Sequence, residues 1–503
     1  MSALCTLMTD GGVGETTQCA GDAVQKVMLV DPSPQSIRVG TFLRHARLEP
    51  LGLEYLAAVA VTRGFKTKVV QVGDRGADWL LGEIMAWAPS TVGFSVPSCA
   101  AVWVLEFCRR LKESYPNVTT VLGGYHPTFA PEIAAEPGVD YVIVGEGENA
   151  FGELLEQLRA GNDPSGIPGL VFSRNGTLAR TPPEQVKDLD SIPFPLRSNE
   201  FLSDSVVGGL VYPPPQDQKS VAYVMTSRGC PHGCTYCCSP LMWQRRVRNR
   251  SVARIAAEIR TLQAEFGTNM LFFGDLTFNL SRKRVLALSN ELSRLQPPVH
   301  WHCLCRPDLV DEELVEAMAS GGCTKISFGV ESLNPATLAR IKPGQSIDPR
   351  TVRKALAVVQ ESAITCRAFF MIGFPWETKV EIEELRDELP DWPIDELRVG
   401  ILTPLPGSQL YDDCARDGLI SGQDYEGFTT EKSVICLSDL TADELHDLQT
   451  DIFTKFYQSR QYQERARRKM LRYPHLAPSY KAFFTSLVAQ GFLVSVDIGK
   501  DDE

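Results

Sequence analysis

The hydrophobic and polar positions divide the chain into two stretches in which short apolar runs alternate with helical patterns, followed by a helical tail. In the first stretch the runs are Val27–Val30, Lys68–Val72, Thr91–Val96, Thr119–Gly124 and Tyr141–Gly145. They are rich in β-branched residues and almost continuously apolar, as strands of a parallel sheet covered on both faces are. Helical periodicity fills the gaps at Pro50–Arg63, Ala77–Ala88, Ala100–Ser114 and Asn149–Ala160. This alternation predicts a doubly wound, Rossmann-like α/β domain over 25–165, with ligands beyond the carboxyl ends of its strands. Over 166–220, Pro168, Pro182, Pro183, Pro193, Pro195 and Pro213 to Pro215 interrupt any regular element and predict a linker. A second alternation over 221–420 has runs at Val221–Thr226, Met270–Phe273, Val299–Cys305, Lys325–Val330, Ala368–Ile372 and Leu397–Leu402. Helical patterns intervene between the runs, which predicts a partial (β/α)6, TIM-like barrel rather than a closed one. Residues 425–503 predict a small helical C-terminal domain. Within it the pattern Ala442–Arg472 carries Phe453, Phe456, Tyr457 and Tyr462, either as a packing face or as a cavity wall.

Composition narrows the function classes. The 503 residues are 44% hydrophobic and 22% charged, which is ordinary globular usage. Lys plus Arg is 50 and Asp plus Glu is 62, a net charge of −12, so broad contact with a nucleic-acid backbone is disfavoured. A small-molecule or peptide substrate fits that balance better. The first 26 residues carry Asp10, Glu15 and Asp22 with Lys26 as the only base, unlike a secretory signal. No apolar run approaches the roughly 20 residues that span a bilayer. The expectation is a cytoplasmic protein whose 14 cysteines are reduced.

Three of those cysteines are clustered. Cys230, Cys234 and Cys237 form a C-x3-C-x2-C loop directly after the first strand of the second alternation. Three thiolates on a Gly/Pro-rich loop can hold three irons of a four-iron, four-sulfide cluster and leave one iron open. The alternative is a structural zinc site in a non-catalytic module, which needs a fourth ligand at regular spacing. His232 lies inside the loop and Cys238 directly follows Cys237, so both are poorly placed for that tetrahedron. Cys238, like Cys303 and Cys305 on one strand face, reads by default as a small buried residue.

The loop, with Tyr236 before its last cysteine, resembles the signature of the radical S-adenosylmethionine (SAM) superfamily. Further motifs are in register: Gly274–Asp275 after the second barrel strand, Gly329 to Ser332 at the fourth, Gly373 to Glu377 after the fifth, and Leu402 to Ser408 after the sixth. The resemblance implies a 4Fe-4S cluster and SAM. It places Tyr236, Gly274, Asp275, Arg306, Glu331, Ser332, Gly373 and Pro404 around the SAM. Gly274 and Gly373 also read as turn glycines, and Asp275 and Arg306 as a helix cap or a surface pair. Glu331 is the hardest to read that way, because a carboxylate ending an apolar strand needs a partner.

The first domain resembles the cobalamin-binding domain that precedes the barrel in one large class of this superfamily. The match rests on Val30 to Pro34, Pro50 to Leu53, Gly123 to Thr128, Gly145 to Glu148 and the linker's Leu189 to Pro195. That class contains cobalamin-dependent methyltransferases and the anaerobic ring-forming cyclase of bacteriochlorophyll synthesis. The resemblance implies cobalamin near Ser95, Gly123, Gly124, His126, Gly145 and Glu146. Many cobalamin domains carry an Asp-x-His-x-x-Gly loop whose histidine binds cobalt; here Asp31 is followed by Pro32 and Ser33. His126 therefore also reads as a core or turn histidine, and the domain as a sheet that kept the fold without the corrin. The implied activity is methylation of an unactivated carbon through a 5′-deoxyadenosyl radical, with oxidative cyclisation or rearrangement as the alternative. It also implies a one-electron reductant of the flavodoxin or ferredoxin kind.

Overall fold

The computed structural model describes residues 24–32, 49–205, 208–345, 347–420, 425–429, 433–437 and 439–494. Asp10, Glu15 and Asp22, and Ser33 and Pro34 of the first motif, lie outside these. The first sheet has seven strands: β1 (Lys26–Asp31), β2 (Lys66–Gln71), β3 (Thr91–Ser95), β4 (Thr119–Gly123), β5 (Tyr141–Ile143), β6 (Leu170–Arg174) and β7 (Thr177–Arg180). Their order is β2-β1-β3-β4-β5-β6-β7. The first five are parallel, and the order reverses between β1 and β3, where such sheets open a crevice. Leu53, Ala57 and Leu154 cover one face of the sheet, and Leu80, Val104 and Phe107 the other. Two-sided burial explains the uninterrupted apolar runs.

The sheet extends further than the apolar runs predict. β6 and β7 form an antiparallel hairpin on β5, inside the stretch read as a linker. Its turn is Asn175–Gly176, both with positive φ, the backbone that a two-residue hairpin of this hand requires. The neighbouring prolines obscured this signal, yet Pro168, Pro182 and Pro183 all lie just outside the two strands.

The barrel strands are β8 (Val221–Val224), then, after the short antiparallel pair β9 (Ser227–Arg228) and β10 (Arg248–Asn249), β11 (Met270–Phe273), β12 (His300–Cys305), β13 (Cys323–Glu331), β14 (Thr365–Ile372) and β15 (Glu396–Ile401). The six long strands are all parallel and run in sequence order from β8 to β15, which are the two edges. This is an open barrel, and the C-terminal helices pack beside its last strand. Gln449 Nε2 donates to the Val399 carbonyl at 2.8 Å, and Tyr457 Oη donates to the Leu397 carbonyl at 3.2 Å. The pattern Ala442–Arg472 is two helices, Ala442–Gln458 and Arg460–Arg472, because Ser459 caps the second by accepting from the Tyr462 amide at 3.2 Å. Phe456, Tyr457 and Tyr462 share one core with Ile326 and Ala368 of the barrel, so the tail is part of the barrel's packing rather than a separate unit. No helix among the described residues is long and apolar enough to cross a membrane.

Candidate functional site

The cysteine loop leaves β9 at the carboxyl end of the barrel strands, where (β/α) folds place their sites. Gly229 (φ +96°) makes the exit, and a Cβ there would collide with the Arg246 backbone. Cys230, Cys234 and Cys237 all line one cavity of about 520 Å³. Cys234 Sγ accepts from Gln345 Nε2 at 3.5 Å, and Cys230 Sγ lies 3.7 Å from Thr277 Oγ1. Among the described residues no three His, Cys, Asp or Glu side chains form a single-ion site. A four-iron cluster asks for one thiolate per iron, so its ligands need not meet at a point. Cys238 is buried behind the wall, where burial pushes its thiol up to about 12. Cys303 and Cys305 sit 3.6 Å apart within the barrel core, and Cys305 also touches the cavity.

Glu331 turns into the same cavity. It has φ +75°, a conformation few side chains tolerate, at a register shift between Gly329 and Glu331. Tyr236 Oη donates to its Oε1 at 2.9 Å, and Lys342 Nζ stands 3.8 Å away while donating to the Gly329 carbonyl at 2.9 Å. Burial raises the Glu331 carboxyl above its ordinary value, and Lys342 and Tyr236 oppose that. Arg306 lines the cavity and pairs bidentately with Asp308, at 3.0 and 2.9 Å.

The other residues expected around SAM do not line this cavity. Asp275 is buried as a bracket between the ends of β11 and β8: it accepts from the Thr226 amide at 3.1 Å, from Thr226 Oγ1 at 2.8 Å and from Ser227 Oγ. Gly274 is required by its neighbour, because a Cβ there would collide with the Tyr223 ring. Ser332 Oγ accepts from the Asn334 amide at 3.1 Å. The Gly373 amide donates to Glu377 Oε2 at 2.6 Å, and Pro404 is buried. Lys342, Thr277, Arg398 and Gln449 line the cavity with no motif to mark them. Only their fold neighbours bring them there.

A second cavity, of about 360 Å³, lies between the two domains. Ser95, Gly123, Gly124, Gly145 and Glu146 line it from the first sheet, and Tyr223, Met225, Met242 and Trp243 from the barrel side. Gly124 (φ +101°) lies close against the end of β3, since a Cβ would stand 3.1 Å from the Val96 nitrogen. One expectation needs correction. His126 does not line the cavity: it is 2% exposed, with Nδ1 3.1 Å from Ser98 Oγ and its ring edge-on to Tyr425, and burial lowers its pKa. It is a packed core histidine. Glu146 does line the cavity, but its two oxygens are engaged by Arg228 at 2.7 Å, Arg248 at 2.6 Å and the Val186 amide at 2.7 Å. It joins the two domains at the cavity wall.

One short segment separates the cavities. Cys237 and Ser239 face the cysteine cavity, while Met242 and Trp243 face the interdomain one.

Residues 224–389 match the radical SAM superfamily, and residues 38–155 match the B12 binding domain. A Pyrococcus horikoshii protein described as uncharacterized methyltransferase PH0819 is 31% identical over 446 residues, 86% of this chain and 93% of its own. This chain belongs to the radical SAM superfamily, in the group that carries a B12 binding domain. The anaerobic magnesium-protoporphyrin IX monomethyl ester cyclase of Rubrivivax gelatinosus is 26% identical, over 72% of this chain and 66% of its own. In fold, the chain is similar to TsrM of Kitasatospora setae, a radical SAM methyltransferase solved with cobalamin and a 4Fe-4S cluster bound. The TM-score is 0.68 at 17% identity, over 93% of this chain and 100% of that one. As a radical SAM enzyme with a B12 domain, the protein works with a 4Fe-4S cluster, SAM and cobalamin. The residues present fit these groups. Three thiols open onto one cavity beside Tyr236, Arg306 and Glu331, and a glycine-floored cavity faces it across the Cys237–Trp243 segment.

Proposed function

We propose that the protein methylates an unactivated carbon of a small-molecule or peptide substrate. The observation that carries this reading is the shared wall: one segment, Cys237–Trp243, borders both the thiol-lined cavity and the glycine-floored interdomain cavity. When bound, the cluster and SAM supply a hydrogen-abstracting carbon radical, and cobalamin supplies a transferable methyl group. Cys230, Cys234 and Cys237 would hold the cluster. Arg306 and Lys342 would meet the carboxylate of SAM, and Glu331, braced by Tyr236, would accept from its hydroxyl or amino groups. Ser95, Gly123, Gly124 and Gly145 would seat the corrin, with Met242 and Trp243 closing over it. The apolar wall of Phe369, Met371 and Phe453 excludes water from the reacting groups. A one-electron donor of the flavodoxin or ferredoxin kind would supply the reductant.

The test is product analysis with anaerobically reconstituted protein, a reductant and SAM carrying a labelled methyl group. Methylated product together with S-adenosylhomocysteine and 5′-deoxyadenosine is expected. 5′-Deoxyadenosine with an unlabelled, dehydrogenated or cyclised product overturns methyl transfer. That outcome would favour the second reading, oxidative cyclisation, which the similarity to the Rubrivivax cyclase supports.

A further inference from the structure

A third cavity, of about 470 Å³, lies away from the other two. Its walls are the end of the helix Pro349–Gln360, the turn at residues 391–393 before β15, and the helix Arg460–Arg472. That last helix is tied to the amino ends of β14 and β15: Lys469 Nζ donates to the Ile364 carbonyl at 2.6 Å and Arg465 Nε to the Ile394 carbonyl at 3.2 Å. The thiol cavity takes residues 369–371 and 398–400 from further along the same two strands. Arg465, Arg468, Lys469 and Arg472 recur at i, i+3, i+4 and i+7, one face of the helix, and all four line the third cavity. Two of them are matched. Lys469 Nζ lies 2.8 Å from Asp395, and Arg472 pairs with Glu361. Asp395 also accepts from Tyr480 Oη and from the Cys366 amide, each at 2.7 Å. Arg465 and Arg468 form no ion pair with a described residue. Asp391, the second lining carboxylate, is exposed and likewise unpaired, which leaves two cations against one carboxylate. Arg465 is 8% exposed; its Nη1 donates to the Pro390 carbonyl at 3.2 Å, and its Nη2 has no acceptor. Burial lowers its pKa, with Asp395 opposing. A buried guanidinium nitrogen without an acceptor is costly until one reaches it.

We infer that this cavity binds a small organic phosphate, with phosphoryl oxygens on Arg465 and Arg468 and the organic part against Pro393 and Tyr473. Arg465 and Arg468 stand one helical turn apart, a rise of about 4.5 Å. One guanidinium satisfies both oxygens of a carboxylate, whereas the three terminal oxygens of a phosphate monoester can serve two guanidiniums at once. The cavity is larger than a phosphoryl group fills, and Ala357, Pro393 and Tyr473 give it surface for a carbon skeleton. The ligand is one that the thiol and interdomain cavities do not hold, so the inference does not depend on which reaction the protein performs.

The test is calorimetric titration of the reconstituted protein, saturated with cobalamin and SAM and without reductant, at constant ionic strength. The probes are phenyl phosphate, inorganic phosphate and the neutral phenol. Phenyl phosphate is expected to bind at least ~10-fold more tightly than either of the others. Arg468→Gln should weaken phenyl phosphate by about 10-fold, and Arg468→Lys should keep part of the affinity. Arg468 is exposed and unpaired, so its variants should melt with the parent protein. Phenyl phosphate binding no tighter than phenol overturns the anion site, and binding no tighter than inorganic phosphate overturns the organic ligand. Phenyl phosphate affinity unchanged in Arg468→Gln places the anion elsewhere and overturns the inference.

Discussion

Arg228 Nη1 lies 2.7 Å from Glu146 Oε1, joining the barrel to the B12 domain two residues before Cys230. Its second nitrogen meets Glu148 at 2.5 Å, and Arg248 closes on Glu146 from the other side at 2.6 Å. Burial pushes the Glu148 carboxyl up, but the neighbouring arginines more than offset it and leave it below its ordinary value. Breaking such a pair strands a buried charge. Arg228→Gln should therefore cost about 3–5 kcal/mol of stability and weaken cobalamin binding. Denaturant melts and a spectral titration with cobalamin measure both. Unchanged cobalamin affinity would mean that the ion pair does not shape the interdomain cavity.

Cysteine substitution separates ligands from packing. Cys230→Ala, Cys234→Ala and Cys237→Ala should each lower iron and sulfide content and abolish reductive SAM cleavage. Cys238→Ala should keep the cluster, because Cys238 does not line the cavity. Iron and sulfide analysis after anaerobic reconstitution decides it, and a Cys238→Ala protein without iron would contradict the assignment.

His126 offers a sharper contrast. Its imidazole packs against Tyr425 and Ser98 outside the interdomain cavity. His126→Phe should lower the melting temperature while leaving the cobalamin spectrum and affinity unchanged. A changed cobalt spectrum would restore the histidine as a ligand.

A second interdomain knot titrates. Arg197 Nη1 lies 3.2 Å from Glu54, and Arg197 Nη2 lies 2.8 Å from Glu258; Glu49 also pairs with Arg197. Burial, with Glu49 next, raises the Glu54 carboxyl from 4.5 to about 9 despite Arg197. A raised carboxyl means that the folded state binds the proton more tightly than the unfolded state. Its stabilisation is present below the unfolded pKa and is lost as pH climbs toward 9. Glu54→Gln mimics the protonated form, so its melting temperature should fall less between pH 5 and 9 than that of the parent (roughly the window set by the two pKa values). Parallel melting curves would rule out this role for Glu54.

The strand and helix order, and the C-x3-C-x2-C loop, were legible in the chain because both are local: apolar period and ligand spacing need no distant partner. The hairpin at Asn175–Gly176 was equally local, and proline-rich flanks hid it. Glu331 could be singled out because a carboxylate at the end of an apolar strand demands an explanation. Asp275 and Glu146 looked like the same kind of residue. Folding gave Asp275 to Thr226 and Ser227, and Glu146 to Arg228 and Arg248 from a different domain. Arg398 carries no motif, and only the parallel packing of β13, β14 and β15 brings it together with Lys325, Arg367 and Glu396. Residue type and spacing specify which chemistry a chain can carry. Which charges meet, and which of them still face a cavity, depends on contacts between segments scores of residues apart, and those exist only once the chain has packed.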